Sequence, residues 1–499
     1  MDSSTQSTKV LAVDADTGEV LARGQAPHTV SGGAGRESDP EEWWRALLDA
    51  LDQLGDYARR AAAISVGGQQ HGLVVLDAAG RPLRPALLWN DVRSAPQATA
   101  LVERYGAGWW AERFGSVPGA SFTVTKWEWL RAHEPEVAAA AAAVRLPHDF
   151  LTERLSGAAV TDRGDASGTG WWASGAPSAS ATDTAPGSAT ASAAGDSAAA
   201  PGGYDETLLG EIGLDPKLLP TVLRPGQQAG TVRERLPLPA GALVAAGTGD
   251  NAAAALGLGL TPGRAVLSLG TSGTVYAVSR RRPADPTGTV AGFAAADGGW
   301  LPLACTLNCT MAVDKVAALL GRRREEVEPG GSVAFLPFLD GERTPNLPYA
   351  SGLLTGLRHE TTAGQVLQGA YDGAVWALLR ALDEVLAVDG DGDSRGSGAP
   401  GSGSGSGSGE PLLLIGGGAR GAVWRDTVRR LSGRPVQVPE AEELVALGAA
   451  VQAAALLSGE EPTAIARRWN TSRGPLLDPL PRDDDALARL SAALPLAAS

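Results

Sequence analysis

Ala265-Val266-Leu267-Ser268-Leu269-Gly270-Thr271-Ser272-Gly273-Thr274-Val275-Tyr276-Ala277-Val278 reads as two apolar strands, Ala265 to Leu269 and Thr274 to Val278, around a glycine-bearing turn. The same device opens the chain, where Lys9 to Asp14 and Glu19 to Arg23 are apolar-rich strands joined through Ala15-Asp16-Thr17-Gly18. Ile64 to Val66 and Leu73 to Asp77 add a second strand pair. Between them, Ser38-Asp39-Pro40-Glu41-Glu42 caps a helix running to about Leu54, with proline in the first turn and acids at its positive end. Hairpins followed by helices, met twice, predict an α/β chain of two related halves divided near residue 245.

At 499 residues the chain has room for two to four domains of about 150 residues each, and the repeated pattern favours two, 1–245 and 246–499. Its 42 Lys and Arg against 56 Asp and Glu leave a net charge of −14, which argues against nucleic acid or an anionic membrane as partner. Glycine (65) and proline (33) exceed ordinary usage, and part of the excess is local. Residues 175–203 hold only Gly, Ala, Pro, Ser, Thr and Asp, and residues 389–409 end in a Gly-Ser alternation. Neither buries enough apolar area to offset its ordering entropy, so the first reads as a disordered insertion and the second as a flexible one. Two cysteines, Cys305 and Cys309, make no disulfide framework, and the start Met1-Asp2-Ser3-Ser4-Thr5-Gln6-Ser7 lacks the regions of a secretory signal. The longest apolar run, Val445 to Leu457, is short of the about 20 residues that span a bilayer. A soluble cytoplasmic protein is expected.

Four segments rich in small polar residues stand at apparent strand ends: Asp2 to Lys9, Gly247-Thr248-Gly249-Asp250-Asn251, Gly270-Thr271-Ser272-Gly273 and Gly416-Gly417-Gly418-Ala419. Such turns bring backbone N–H groups and hydroxyls close to phosphate oxygens, as a nucleoside triphosphate requires. No Walker A pattern occurs, so a different ATP scaffold is needed. The five histidines, His28, His71, His133, His148 and His359, lack metal-ligand spacing. Taken singly, Gly-Thr-Ser-Gly fits an ordinary hairpin turn, Asp250 a helix cap, and His71 a hydrogen-bonded structural histidine. Glu342 and Arg343 read as an ion pair near a domain surface.

Ser65-Val66-Gly67-Gly68-Gln69-Gln70-His71-Gly72, followed by Leu88-Trp89-Asn90-Asp91-Val92-Arg93-Ser94, resembles the sugar-binding part of the FGGY carbohydrate kinases. Phe335-Leu336-Pro337-Phe338-Leu339-Asp340-Gly341-Glu342-Arg343-Thr344-Pro345 is similar to a segment of their second domain, and Gly416-Gly417-Gly418-Ala419-Arg420 with Trp424-Arg425 to their adenosine-binding region. Within the family the segments are most similar to the branch whose sugar is D-xylulose. The resemblance implies two actin-like or ribonuclease-H-like domains with a cleft between them, sugar mainly on the first and ATP mainly on the second. It implies Asp250 as catalytic base, Asn251, His71 and Gln70 on sugar hydroxyls, and Asp2 supporting Mg²⁺ through water. Thr5 and Lys9 match the first phosphate loop; Thr271, Ser272 and Gly273 match the second; Gly417 and Gly418 lie beside the nucleotide. Many family members have Met at Gln70, and Ser4 stands where Gly is common.

The activity implied is transfer of the γ-phosphate of ATP to D-xylulose, giving D-xylulose 5-phosphate, with no nucleic acid or membrane partner and a homodimer left open. Other sugars of the family, a polyol or an aldonate, are the alternative substrates. Family members also place an apolar strand before the loop aspartate, where this sequence has only Met1. The expectation is that the chain start was assigned late, and a sugar- or nucleotide-binding protein without turnover is the alternative tied to it.

Overall fold

A computed structural model of the chain describes residues 1–32, 35–173, 202–389 and 409–497. The opening hairpin forms as expected: Ser7–Val13 pairs antiparallel with Val20–Pro27. Asp14 ties the turn, its Oδ1 accepting the N–H groups of Asp16 at 3.1 Å and Thr17 at 2.9 Å. Asp2–Ser3 pairs antiparallel with the other side of Ser7–Val13 and parallel with Gly67–Gly68, which lies parallel to Thr248–Gly249. A second sheet repeats this plan. Trp300–Thr306, Gly273–Ala277 and Ala265–Leu269 run antiparallel in that order, followed by Leu412–Ile415 and Val436–Gln437 in parallel. In each sheet, therefore, three antiparallel strands are followed by two parallel ones, in the spatial order third, second, first, fourth, fifth. Ala291–Ala294 and Leu476–Leu477 extend the edges of the second sheet.

The helix expected after Asp39 spans Pro40–Asp52, with the Asp39 carboxylate accepting the Glu41 N–H at 3.0 Å. Its apolar face, Trp43, Ala46, Leu47, Ala50 and Leu51, is buried. The second strand pair differs from expectation. Val74–Leu76 pairs with Ala143–Arg145, while Ala63–Ile64 runs parallel to Leu243–Ala245. Gly67–Gly68 is drawn between Asp2–Ser3 and Thr248–Gly249 because it has no side chains: a Cβ on Gly67 would stand 2.8 Å from Val445 Cγ1. Since Thr248–Gly249 belongs to the first sheet, that sheet reaches past the division expected between 245 and 246. The expected insertion at 175–203 lies outside the described residues except Gly202 and Gly203; Gly203–Tyr204 pairs with Trp172–Ala173. That at 389–409 lies outside them except Asp389 and Gly409, and the Asp389 carboxylate accepts the Ser279 hydroxyl at 2.7 Å.

The apolar run near the chain's end forms the helix Leu444–Ser458, which crosses Asp250–Gly257 at backbone contact. A Cβ on Gly448 would lie 1.8 Å from Ala253 O, and one on Gly257 2.2 Å from Leu444 O. The same helix closes the first sheet: Gln452 accepts the Ser65 hydroxyl at 2.8 Å and donates to Gly247 O at 3.2 Å. Among the described residues no single helix is long and apolar enough to cross a membrane. Gly448→Val is expected to destabilise the fold by about 2–3 kcal/mol through overpacking, read as a lower denaturation midpoint. Gly210→Ala, in a helix with open space around it, is expected to leave that midpoint unchanged or raised.

Candidate active site

Three parallel strands of the first sheet end level with one another. Asp2, Gly67 and Thr248 are in register, as are Ser3, Gly68 and Gly249. The chain then continues into the turn at 4–6, into residues 69–71, and into Asp250 and Asn251, which places all three segments at one edge. In the second sheet, Ala265–Leu269 and Leu412–Ile415 are parallel neighbours, so the glycine turns at 270–273 and 416–419 also share an edge. Gly416 has φ 83°, and its missing Cβ leaves room for Leu269 O at 2.8 Å.

Asp250 is the first residue of the helix Asp250–Gly257, where the helix dipole favours a carboxylate. Burial nevertheless pushes its pKa up to about 7, and the neighbouring charges of Asp2 and Asp165 add to the shift. Its Oδ1 accepts the Asn251 backbone N–H at 2.8 Å and Asn251 Nδ2 at 3.0 Å. The same Nδ2 donates to Gln70 Oε1 at 3.0 Å. Asp250, Asn251 and Gln70 are therefore one hydrogen-bonded group. A carboxyl with its proton affinity near neutrality can take up or release a proton near neutral pH.

His71 has a left-handed backbone, φ 65°, and its Nδ1 lies 2.8 Å from Gly168 O. A carbonyl only accepts, so Nδ1 carries the hydrogen and Nε2 is left as an acceptor. Burial first, and then the nearby charge of Lys126, push the His71 pKa down to about 3, so the ring is neutral. Phe122 packs on it with ring centroids 4.9 Å apart and Phe293 at 5.5 Å. Phe293 comes from Ala291–Ala294, the edge strand of the second sheet, so residues of both lobes pack on the His71 ring. That edge meets the first lobe through Gly292 N–H to Ser116 Oγ and Ala294 N–H to Ser167 Oγ, both 2.9 Å.

Sequence reasoning did not find Phe293, nor Lys126 and Tyr276. The Lys126 ammonium is buried, donates to Ala120 O at 2.9 Å, and has its pKa pushed down to about 7 by burial. Tyr276, in the strand leaving the 270–273 turn, is buried with no hydrogen-bond partner for its hydroxyl among the described residues. Burial raises its pKa, and the Asp250 charge adds to the rise. Each is a single large residue in an apolar context, which reads as core until its neighbours are known.

The phosphate-loop candidates occupy both edges. Asp2 is buried, accepts the Ser4 hydroxyl on both carboxylate oxygens at 2.8 and 2.7 Å, and has its pKa raised by burial. The Thr5 hydroxyl accepts the Trp89 indole N–H at 3.1 Å. Lys9 is paired with Glu443 at 2.6 Å, so its charge is engaged at the first residue before the Leu444–Ser458 helix. Thr271 and Ser272 are exposed, whereas Gly273 is buried, where a Cβ would stand 2.5 Å from Thr306 Oγ1. Thr310 braces this turn, its hydroxyl and N–H both donating to Gly270 O at 2.8 and 3.1 Å. Gly417 is exposed and Gly418 is buried against Leu269. Trp424 belongs to the core, edge-on to Tyr371 at 4.8 Å. Glu342 is not an ion-pair partner of Arg343; its buried carboxylate accepts the Leu307 and Asn308 N–H groups at 2.5 and 3.2 Å and so holds the turn that enters the Thr310–Leu319 helix.

Asp2 adds to the raised proton affinity of Asp250, so the two carboxyls lie close enough to repel, an excess of negative charge that suits a cation. The His, Asp and Glu side chains close enough to share one ion among the described residues are instead His148, Asp149 and Asp165. A Mg²⁺ at Asp2 would complete its shell with water and phosphate oxygens, which is its usual habit.

The N-terminal domain of the FGGY family of carbohydrate kinases matches residues 1–173, and the C-terminal domain of that family matches residues 265–457. The chain belongs to this family. Over 99% of its length it is 65% identical to a xylulose kinase of Streptomyces coelicolor, covering 95% of that protein, and over the same share 64% identical to one of Streptomyces rubiginosus, again covering 95%. The crystal structure of xylulose kinase from Bifidobacterium adolescentis superposes with a TM-score of 0.80 at 32% identity, covering 99% of this chain and 98% of that one. Two mixed α/β domains of the FGGY kinase fold thus carry the strand-end residues described above. In the ligand-free protein the Asp250 carboxyl is expected to titrate near 7 by carbonyl-detected NMR, and Asp2→Asn to lower that value by removing a like charge.

Proposed function

We propose that the chain transfers the γ-phosphate of ATP to D-xylulose, giving D-xylulose 5-phosphate and ADP. The observation that carries this reading is the Asp250 group: a carboxyl poised near neutrality and tied to Asn251 and Gln70, at the strand ends beside a neutral His71. The high identity to curated xylulose kinases over nearly the whole chain supports the choice of sugar.

In this reading the sugar's 5-hydroxyl lies against Asp250. As the hydroxyl oxygen bonds to the γ-phosphorus, its proton passes to the Asp250 carboxylate and the bond from phosphorus to the ADP oxygen breaks, ADP keeping the electron pair. His71 Nε2 and Asn251 Oδ1, both acceptors, take other sugar hydroxyls and fix the nucleophile. Phe122 and Phe293 cover the apolar side of the pocket and exclude water. The triphosphate is held at Thr5 and at the turn Thr271, Ser272 and Gly273, with Gly417 and Gly418 beside the nucleotide. Asp2 would support Mg²⁺ through water, and the ion supplies neutralisation of the phosphate charge. Two free cysteines and the need for ATP fit a cytoplasmic location.

Asp250→Ala is expected to cut xylulose-dependent ADP release by about 10²–10⁴-fold while xylulose still stabilises the protein in a thermal-shift assay; near-parent turnover would remove Asp250 from the base role. Because the base acts ionised, kcat/KM for the sugar is expected to fall as pH drops below about 7, well above the ordinary carboxylate range near 3.9. A panel of ketoses, polyols and aldonates in the same assay is expected to give D-xylulose the highest kcat/KM.

A further inference from the structure

The buried Glu342 carboxylate has no part in the transfer as described, yet each of its oxygens is met by two N–H donors. Oε1 accepts the Leu307 N–H at 2.5 Å and the Arg343 backbone N–H at 2.7 Å. Oε2 accepts the Asn308 backbone N–H at 3.2 Å and Asn308 Nδ2 at 3.1 Å. Asn308 Nδ2 also donates to Gly341 O at 2.7 Å, so the buried Asn308 is tied to the same segment twice. Glu342 stands on a fixed backbone. Its N–H donates to Leu347 O at 2.8 Å and its carbonyl accepts the Leu347 N–H at 2.9 Å. The preceding Gly341 has φ 98°, and a Cβ there would lie 2.5 Å from Pro348 O.

Leu307 and Asn308 lie between two points that grip the 270–273 turn. Before them, Thr306 ends its strand directly opposite Gly273. After them, Thr310 gives both its hydroxyl and its N–H to Gly270 O, and the Met311 N–H reaches Thr271 O at 3.4 Å. Residues 306–311 thus clasp the turn at both ends, and Glu342 holds the clasp at its middle. In a planar trans peptide the carbonyl and the following N–H point in opposite directions. With the Gly270 and Thr271 carbonyls turned to the start of the Thr310–Leu319 helix, the N–H groups of Thr271 and Ser272 are turned away from it. Both residues are exposed, and successive N–H groups presented in this way suit an anion.

We infer that Glu342 is a positioning residue for phosphoryl transfer, fixing the 270–273 turn through Asn308 and Thr310 so that its N–H groups meet the triphosphate. The inference rests on the kinase reading above. The place requires a carboxylate. Glutamine has nearly the same shape, but its amide nitrogen would face two donors whichever way it is turned. The clasp then loosens at its middle, and displacement of a reacting group by about 1 Å is enough to cost about 10²-fold in rate.

Glu342→Gln is expected to lower kcat/KM for ATP about tenfold, while the calorimetric Kd and stoichiometry for xylulose stay within about twofold of the parent chain. Asn308→Ala, which removes one donor and keeps the carboxylate, is expected to lower kcat/KM for ATP in the same sense by a smaller factor. If Glu342→Gln does not fold, Asn308→Ala decides alone. Unchanged kcat/KM for ATP per xylulose-binding molecule in the deciding variant overturns the inference and leaves Glu342 a residue of stability only. A loss matched by equally weakened xylulose binding overturns it as well, because the defect then reaches beyond the turn. Absence of xylulose-dependent ADP release from the parent chain overturns the kinase reading instead, and the inference with it.

Discussion

The molecule turns on one contact between two helix backbones. Leu444–Ser458 meets Asp250–Gly257 where Gly448 faces Ala253 O and Gly257 faces Leu444 O, distances that admit no side chain. The helix that begins with Asp250 is held by a helix from the far end of the chain. That second helix also seals the first sheet through Val445, Gln452 and the Lys9–Glu443 pair. Glycine and alanine serve here because close approach multiplies dispersion contacts along the whole crossing.

The electrostatics of the cleft follow from the same geometry. Three strand ends at one level bring Asp2 and Asp250 together with Asp165 behind them, and burial raises the proton affinity of all three. The positive charge that balances them is placed with care. His148 supplies it on the buried side, Lys9 is engaged by Glu443 at the rim, and Lys126 is turned toward backbone carbonyls beside His71. An acidic chain thus keeps these cations engaged by carboxylates and backbone carbonyls inside the fold.

What was legible in the sequence was local. The hairpins around Asp14 and Gly270, the Asp39 cap and the small-residue turns each depend on a few neighbouring residues, and they stand where the spacing predicts. Gln70, Asn251 and Asp250 were singled out through motif resemblance, and the structure gathers them into one hydrogen-bonded group. Partner choice was not legible. Val74–Leu76 pairs with Ala143–Arg145 rather than with the strand next to it in sequence, because two glycines between them are claimed by remote strands. Nor does any local pattern mark Phe293, Tyr276 or His148. An aromatic in a strand or a histidine at a helix start looks the same whether it faces core or ligand, and only contacts beyond its own local segment tell them apart.

The meeting of Ala291–Ala294 with Ser116 and Ser167 carries a further consequence. The outer margin of a sheet is a row of unpaired N–H groups that invites strands from other molecules. Here two serine hydroxyls from the opposite lobe occupy that row. The seam between the lobes therefore also caps the outer margin of the second sheet, satisfying N–H groups that the ladder itself leaves unpaired.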